Sequence, residues 1–409
     1  MRVLLLNQTF YPDVAATAQH AHDLGRHLVE AGHDVLVVTS RSIYGQKSAT
    51  LPRRQIVDGI QIYRVGASRF GKSSITLRAL DFGIFYTRAT WRVLTLPQVD
   101  VVVGFTTPPL IALVGWLNRA LCGGRYVYWV MDLYPDVAIT CGVLRHDGLP
   151  ARFFEWVSRF CLRRADRVVA LGRCMRRRLA DKGVPDARLA QIGVWADGEE
   201  IRPVPRKQNP YRLQWQLGEA LVIMYSGNLG IAHDTATISK AMLRLRERRD
   251  IQFVFVGGGK QMQAMRDFVS EHKLAQVQFH PYQPRQQLGD LISLGDVHLM
   301  SLREDLTGML VPSKLFGVLA AARPVLFVGD AASEVAQVVN EANCGQTIRV
   351  GDVDGLVEAI EQFADDPDLV REMGAAGREA LEQRYDRVLA CAAWERLLAD
   401  CVGETPARP

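Results

Sequence analysis

The residues with most chemistry in this sequence are Thr307-Gly308-Met309-Leu310-Val311-Pro312-Ser313-Lys314. They follow the apolar run Val297–Ser301, and Pro312 and Ser313 are residue types that open helices. Free amides and the positive dipole end of a helix starting there would hold an anion, and Lys314 would add a point charge of the kind used against phosphate. A plain helix start with a solvent-facing lysine is the other reading of the same residues. Two glycine turns, Gly227-Asn228-Leu229-Gly230 and Gly257-Gly258-Gly259, each follow an apolar run. Glycine lets backbone approach a ligand closely. Either turn alone also reads as a tight strand-to-helix connection; two at the same topological position favour a ligand. His233, just after the first turn, either reaches a phosphate or acceptor or is a solvated histidine at a helix start.

A second group lies earlier in the chain. Asp132 follows the run Tyr126–Met131 and opens Asp132-Leu133-Tyr134-Pro135-Asp136. A carboxylate at the carboxyl end of a strand is placed to orient an acceptor hydroxyl or act as a base, and is equally placed to cap the next turn. Tyr11 and Pro12, after Val3–Leu6, and Thr106 and Thr107, after Val101–Gly104, occupy the same kind of position. The nine histidines and seven cysteines show no metal-ligand spacing, so no metal is expected. The cysteines are scattered and odd in number, which predicts reduced thiols. No GxGxxG follows the first strand, which argues against a nicotinamide or flavin site.

The elements that must carry these residues alternate from end to end. Strands are predicted at Val3–Leu6, Val35–Thr39, Ile60–Val65, Val101–Gly104, Tyr126–Met131, Val168–Leu171 and Leu189–Val194. A second set follows at Leu221–Gly227, Gln252–Val256, Val277–His280, Val297–Ser301, Val325–Val328 and Gln346–Val350. Continuous apolar strands separated by helical stretches such as Thr17–Ala31 and Ala151–Arg164 imply α/β architecture with parallel sheets covered on both faces. Two sets imply two doubly wound domains, 1–200 and 201–380, divided at Ile201–Tyr211, which has three prolines, three basic residues and little to bury. The last segment, Pro367–Val402, reads as helices with Leu369, Met373, Leu381, Leu389, Ala393 and Leu397 on apolar faces, and 381–409 forms a separate C-terminal helical piece.

The 409 residues are 48% hydrophobic and 23% charged, which excludes disordered, collagen-like and coiled-coil chains. The net charge of +5 is mild and does not point to nucleic acid. It is uneven: residues 1–200 carry 26 Lys+Arg against 17 Asp+Glu, and the remainder 23 against 27. Met1–Asn7 lacks the length and cleavage site of a signal peptide, and Thr106-Thr107-Pro108-Pro109 interrupts the uncharged stretch Val101–Leu117; a cytoplasmic chain without a membrane span is expected. Two stretches mix basic and aromatic residues: Arg69, Lys72, Arg78, Arg88 and Arg92 with Phe82, Phe85, Tyr86 and Trp91, and the arginine-rich Ala151–Arg178 with Phe153, Phe154, Trp156 and Phe160. They suit either docking to an anionic membrane or a core face backed by a solvated one.

In order and spacing, Phe10-Tyr11-Pro12, Leu28–Val38, Asp132-Leu133-Tyr134-Pro135, Ala165–Leu171, Gly227–Gly230, Phe255–Gly259, Pro281-Tyr282, Val311–Lys314 and Arg323-Pro324-Val325 resemble the family 4 retaining glycosyltransferases of the GT-B fold. The branch they resemble makes bacterial exopolysaccharide and O-antigen. The resemblance covers nearly the whole chain. It implies two Rossmann-like domains with an interdomain cleft, the first for the acceptor and the second for the donor, and a last helix returning to the first domain. It implies a nucleotide-diphosphate sugar as donor, UDP-linked and of N-acetylhexosamine or deoxyhexosamine type. It implies a polyprenyl-diphosphate-linked or saccharide acceptor at the inner membrane face, and no metal.

By position, Gly227, Asn228 and Gly230 would line the diphosphate and sugar. Gly257, Gly258, Gly259, Pro281 and Tyr282 would frame the base, and Leu310, Val311, Pro312, Ser313 and Lys314 would hold the diphosphate. Lys314, Asp132 and His233 are the catalytic candidates; Tyr11, Pro12, Thr106 and Thr107 lie on the acceptor side. The family's paired glutamates are replaced by Met309 and Gly317, its basic pair by residues 231–234, and its double glycine by Ala15-Ala16. A UDP-sugar 2-epimerase on the same fold and a non-catalytic membrane-docked scaffold are the alternatives.

Overall fold

The computed structural model describes residues 1–43, 50–66 and 75–403. The chain divides into two compact units, residues 1–193 together with the chain from Val388, and Val194–Arg387.

The first unit is built on a sheet of β1 (Arg2–Leu6), β2 (Asp34–Ser40), β3 (Arg54–Val57), β4 (Ile60–Val65), β5 (Val101–Gly104), β6 (Arg125–Val130), β7 (Arg167–Ala170) and β8 (Leu189–Gln191). Their order is β3-β4-β2-β1-β5-β6-β7-β8, parallel except for β3. Leu4, Leu5, Val37, Val103 and Val127 are fully buried, as strands covered on both faces require. Gly115, on the helix Ala112–Cys122, lets that helix close on the Tyr126 ring; a Cβ there would lie 2.8 Å from the ring. So Val101–Leu117 is a strand, a loop and the start of a helix. Among the described residues no helix is long and apolar enough to cross a membrane.

The second unit carries β9 (Leu221–Asn228), β10 (Ile251–Gly258), β11 (Val277–His280), β12 (Val297–Ser301), β13 (Val325–Val328) and β14 (Gly345–Ile348), all parallel, ordered β11-β10-β9-β12-β13-β14. Strand order reverses at β1 in the first sheet and at β9 in the second, and ligands of such sheets bind beyond the carboxyl ends at that point.

The divide lies nearer Val194 than the proline-rich stretch suggests. Residues 194–201 are tied to the end of the second unit: Ala196 bridges Asp386, the Arg387 guanidinium meets Asp197 at 2.8 Å, and Arg378 donates to the carbonyls of Gly198 and Ile201. The stretch Ile201–Tyr211 is not bare linker either, since Ile201, Asn209 and Tyr211 are buried. The helix Arg387–Gly403 buries Cys391, Trp394, Leu398 and Cys401 rather than Leu389, Ala393 and Leu397. From Val388 on it belongs to the first unit, where Trp394 packs on Trp129 at 4.3 Å and Glu395 meets the ring nitrogens of His27 and His33.

Candidate functional site

In the second unit the candidates converge at the carboxyl end of β9. This strand pairs with β10 as far as Gly227↔Gly257 and Asn228↔Gly258, but with β12 only at Ile223↔Val297 and Met224↔His298. Beyond that point β9 and β12 part. The Nδ1 of His233 spans towards β12 and lies 2.6 Å from the Ser301 carbonyl; a carbonyl only accepts, so Nδ1 carries the proton. Gln261, at the start of the helix Lys260–Glu271, holds the turn after β9 by donating to the carbonyls of Gly230 and His233.

The second glycine turn is sterically enforced. Gly257 has φ +123°, and a Cβ on it would lie 2.3 Å from the Gly227 carbonyl and 3.1 Å from the Tyr282 ring. Gly259 has φ +127°, with the Leu229 carbonyl 2.3 Å from any Cβ. Alanine at either position would need both a rare backbone conformation and a moved neighbour. The Tyr282 ring lies against Gly257 and Gly258, where a Cβ on either would meet it at 3.1 and 3.3 Å, and it is largely exposed. Gly230 has no positive φ, so its need for glycine is not conformational.

Lys314 opens the helix Lys314–Ala320, but it does not face solvent. Its Nζ is buried, has no hydrogen-bond partner and lies 3.6 Å from the centre of the Tyr225 ring. Burial draws the amine down to about 7. His233 is half-buried rather than solvated, in the loop ahead of the helix Ala236–Arg244. Burial first, and the Lys314 charge second, draw its ring down to about 3, so it is neutral at physiological pH. Ser313 precedes the helix with αR backbone and makes no side-chain cap, contrary to the capping role its type suggests. Pro312 is buried, and Leu310, Val311 and Ser313 are half-buried. The Ser301 hydroxyl is a further buried group without a partner at the end of β12.

In the first unit the acceptor-side candidates occupy loops after three adjacent strands, β1, β5 and β6. The loops are tied together: Gln8 N–H donates to the Thr107 carbonyl at 2.7 Å, and Asp132 N–H to the Thr106 hydroxyl at 3.3 Å. Thr106 is buried. Asp132 is half-buried, and burial pushes its carboxyl up to about 6. It does not cap the helix Asp136–Thr140, whose N-cap is Pro135. Tyr11, 41% exposed, stacks on His22 at 4.7 Å, and its carbonyl accepts from Arg64. Among the described residues no group of His, Cys, Asp and Glu could hold a metal.

Tyr225 is the residue that sequence reasoning misses. It reads as one more apolar strand position, and its only signal is an aromatic ring two residues before a glycine turn. Of the basic-aromatic stretches, Arg69, Lys72 and the side chain of Arg78 lie outside the described residues. On the helix Leu149–Arg164, Leu149, Phe153 and Trp156 are 80, 58 and 63% exposed, beside exposed Arg152, Arg163 and Arg164.

Known proteins share this plan. The family described as "Glycosyl transferase 4-like domain" matches residues 16–195, and "Glycosyl transferases group 1" matches 209–380. The chain is 27% identical over 290 residues to the probable glycosyltransferase WbjE of Pseudomonas aeruginosa, covering 71% of this chain and 72% of that one. It is 23% identical over 400 residues to the putative colanic acid biosynthesis glycosyl transferase WcaI of Escherichia coli, covering 95% and 97%. The Anabaena protein HepE, solved in complex with UDP and glucose, superposes with a TM-score of 0.74 at 14% identity over 98% of this chain and all of that one, which speaks to fold. Two family matches in succession, one on each sheet, leave the scaffold reading behind and give the epimerase reading no support: the chain is an enzyme, a family 4 glycosyltransferase of the GT-B fold.

Proposed function

We propose that this enzyme transfers a sugar, with retention of anomeric configuration, from a UDP-linked donor to a lipid-linked or saccharide acceptor in polysaccharide biosynthesis. The sugar is of the N-acetylhexosamine or deoxyhexosamine type and the acceptor is carried on polyprenyl diphosphate. One observation carries the reading: a buried lysine ammonium with no partner stands at the carboxyl end of β9, beside two glycine turns. A desolvated cation there supplies what a departing diphosphate needs. As the bond from the anomeric carbon to the diphosphate oxygen breaks, its electron pair leaves with the oxygen, and Lys314 offsets the growing charge in a low-dielectric site. Gly227, Asn228 and Gly230 bring backbone to the diphosphate, with the amides around Ser313. Gly257–Gly259, Pro281 and Tyr282 receive the base. Neutral His233 orients this loop and acts as a polar contact rather than a second cation. Asp132, with Tyr11, Pro12, Thr106 and Thr107, receives the acceptor hydroxyl, whose oxygen bonds the anomeric carbon while its proton passes to the departing diphosphate oxygen. No metal is needed, because a protein cation stands at the phosphate.

The WcaI name supports the polysaccharide assignment, and the HepE complex supports UDP. Calorimetric titration with UDP, GDP and ADP, first in EDTA and then in magnesium, tests the donor side. Metal-independent binding of UDP alone is expected; binding of GDP or ADP instead reassigns the base, and binding of none removes the site. The acceptor side predicts work at the cytoplasmic membrane face. The exposed row Leu149, Phe153 and Trp156 among arginines fits an anionic bilayer. Flotation with phosphatidylglycerol vesicles at low salt should carry the protein; protein left unbound there ends the peripheral-membrane reading.

A further inference from the structure

Lys314 is buried without any of the compensation a buried charge normally has. No carboxylate pairs with it and no carbonyl accepts from it; what it has is an aromatic face, Tyr225, at 3.6 Å. We propose that Tyr225 is a positioning residue: its ring face, in place of a carboxylate, holds the Lys314 ammonium at the end of β9 and leaves all three N–H donors free for an arriving diphosphate. The proposal rests on the donor site described above and adds the device that keeps its cation available.

The ring is fixed for this task. Its hydroxyl donates to the Asn228 carbonyl at 3.1 Å, which ties it to the first glycine turn. Phe255 stacks beside it at 6.0 Å and the His233 ring meets it edge-on at 5.7 Å. A ring face attracts a cation but offers no lone pair to its N–H groups. A carboxylate in the same place would fill those donors, and a diphosphate would then have to displace it. Two other titratable groups feel the charge of the amine: His233, on the loop after β9, and His298, on β12, whose Nε2 lies 2.8 Å from the Ile292 carbonyl. Both rings are drawn well below their usual range by burial, with Lys314 itself as a further cause. Neither carries a charge that could compete for the phosphate or hold the amine.

The test keeps the shape of the ring and changes only its electrons. Phenylalanine, then mono-, di- and trifluorophenylalanine, are placed at position 225 in the full chain, and UDP binding is measured in EDTA. Tyr225→Phe should bind within about threefold of wild type, and the trifluoro ring about tenfold more weakly than phenylalanine. Weaker attraction for the cation lowers the amine's pKa, so the alkaline loss of binding should move to lower pH along the series. In a Lys314→Met background the series should be flat. A flat series with Lys314 present, or the same slope in Lys314→Met, overturns the proposal. The pH midpoint of Lys314 reaction with dinitrofluorobenzene, followed by mass spectrometry without nucleotide, is the ligand-free arm. If UDP, GDP and ADP all fail to bind wild type, the donor assignment falls, while a midpoint that still drops with each fluorine upholds the Tyr225–Lys314 contact and a constant midpoint removes it.

Discussion

Two buried lysines, one in each unit, are held in opposite ways. Lys182 closes the helix Arg173–Asp181 in the first unit and is bracketed by two carboxylates, Asp136 at 2.7 Å and Glu155 at 2.8 Å. Burial disfavours the Glu155 anion, but hydrogen bonds from Lys182 and Arg159 outweigh it and hold that carboxyl below its usual range. All of this charge is spent inside the protein, where it fastens the helices Asp136–Thr140 and Leu149–Arg164 to the end of Arg173–Asp181. Lys314 has the same chemistry and no partner. A buried cation left unpaired is a cost that folding does not repay. Its persistence next to two glycine turns marks a place where the compensating charge arrives with a ligand.

The largest expected effect breaks this comparison in the ligand assay. Lys314→Met should weaken UDP binding about 100-fold, the scale seen when one partner of a buried, hydrogen-bonded charge pair is truncated in a complex. Lys182→Met should leave UDP binding within about twofold, because nothing in its ion-pair cluster belongs to the second unit. Equal losses in the two variants would mean that Lys314 is only another structural cation. Calorimetry at pH 7 in EDTA decides between them.

The stability assay should show the reverse. Lys182→Met strands Asp136 and leaves Glu155 with Arg159 alone, and urea unfolding should report a loss of about 2 kcal/mol, less than a fully buried pair would cost since Asp136 and Glu155 are 23 and 29% exposed. Lys314→Met removes a charge that nothing compensates and should be no less stable than wild type. A Lys314→Met protein destabilised as much as Lys182→Met would show that the Tyr225 contact is a structural bond.

Much of this was readable beforehand, and the misses have physical causes. β12 and β13 lie where their apolar runs predict, because a strand buried on both faces leaves a continuous signature. β3 is missed: Arg54–Val57 is an exposed antiparallel edge, held by its ladder to β4 rather than by an apolar face. The buried face of Arg387–Gly403 is missed because Leu389, Ala393 and Leu397 are as apolar as Cys391, Trp394 and Leu398, so periodicity cannot choose. The position of Lys314 was legible from Pro312 and Ser313. Its burial was not, since that depends on β9 and β12 parting after Met224, a property of pairing that no local pattern records.

The smallest effect is one of pH, and it sharpens the comparison without disturbing the fold. In the free protein burial places the Lys314 amine at about 7. A bound diphosphate favours the ammonium and raises that value, so above pH 7 binding takes up a proton and weakens as protons become scarce. The terminal phosphate of UDP, with a pKa of about 6, is already ionised there and does not mask the trend. Wild-type affinity should therefore fall from pH 7 upward, by at most about tenfold per pH unit for one proton. Lys314→Arg carries a guanidinium that stays charged throughout, so its affinity should hold level across the same range even if its different shape weakens binding overall. The Lys182 cluster cannot mimic this, because its charges are already matched within the first unit. An equal decline in Lys314→Arg would place the titrating group elsewhere, and neither His233, drawn to about 3, nor His298, drawn to about 4, could supply it.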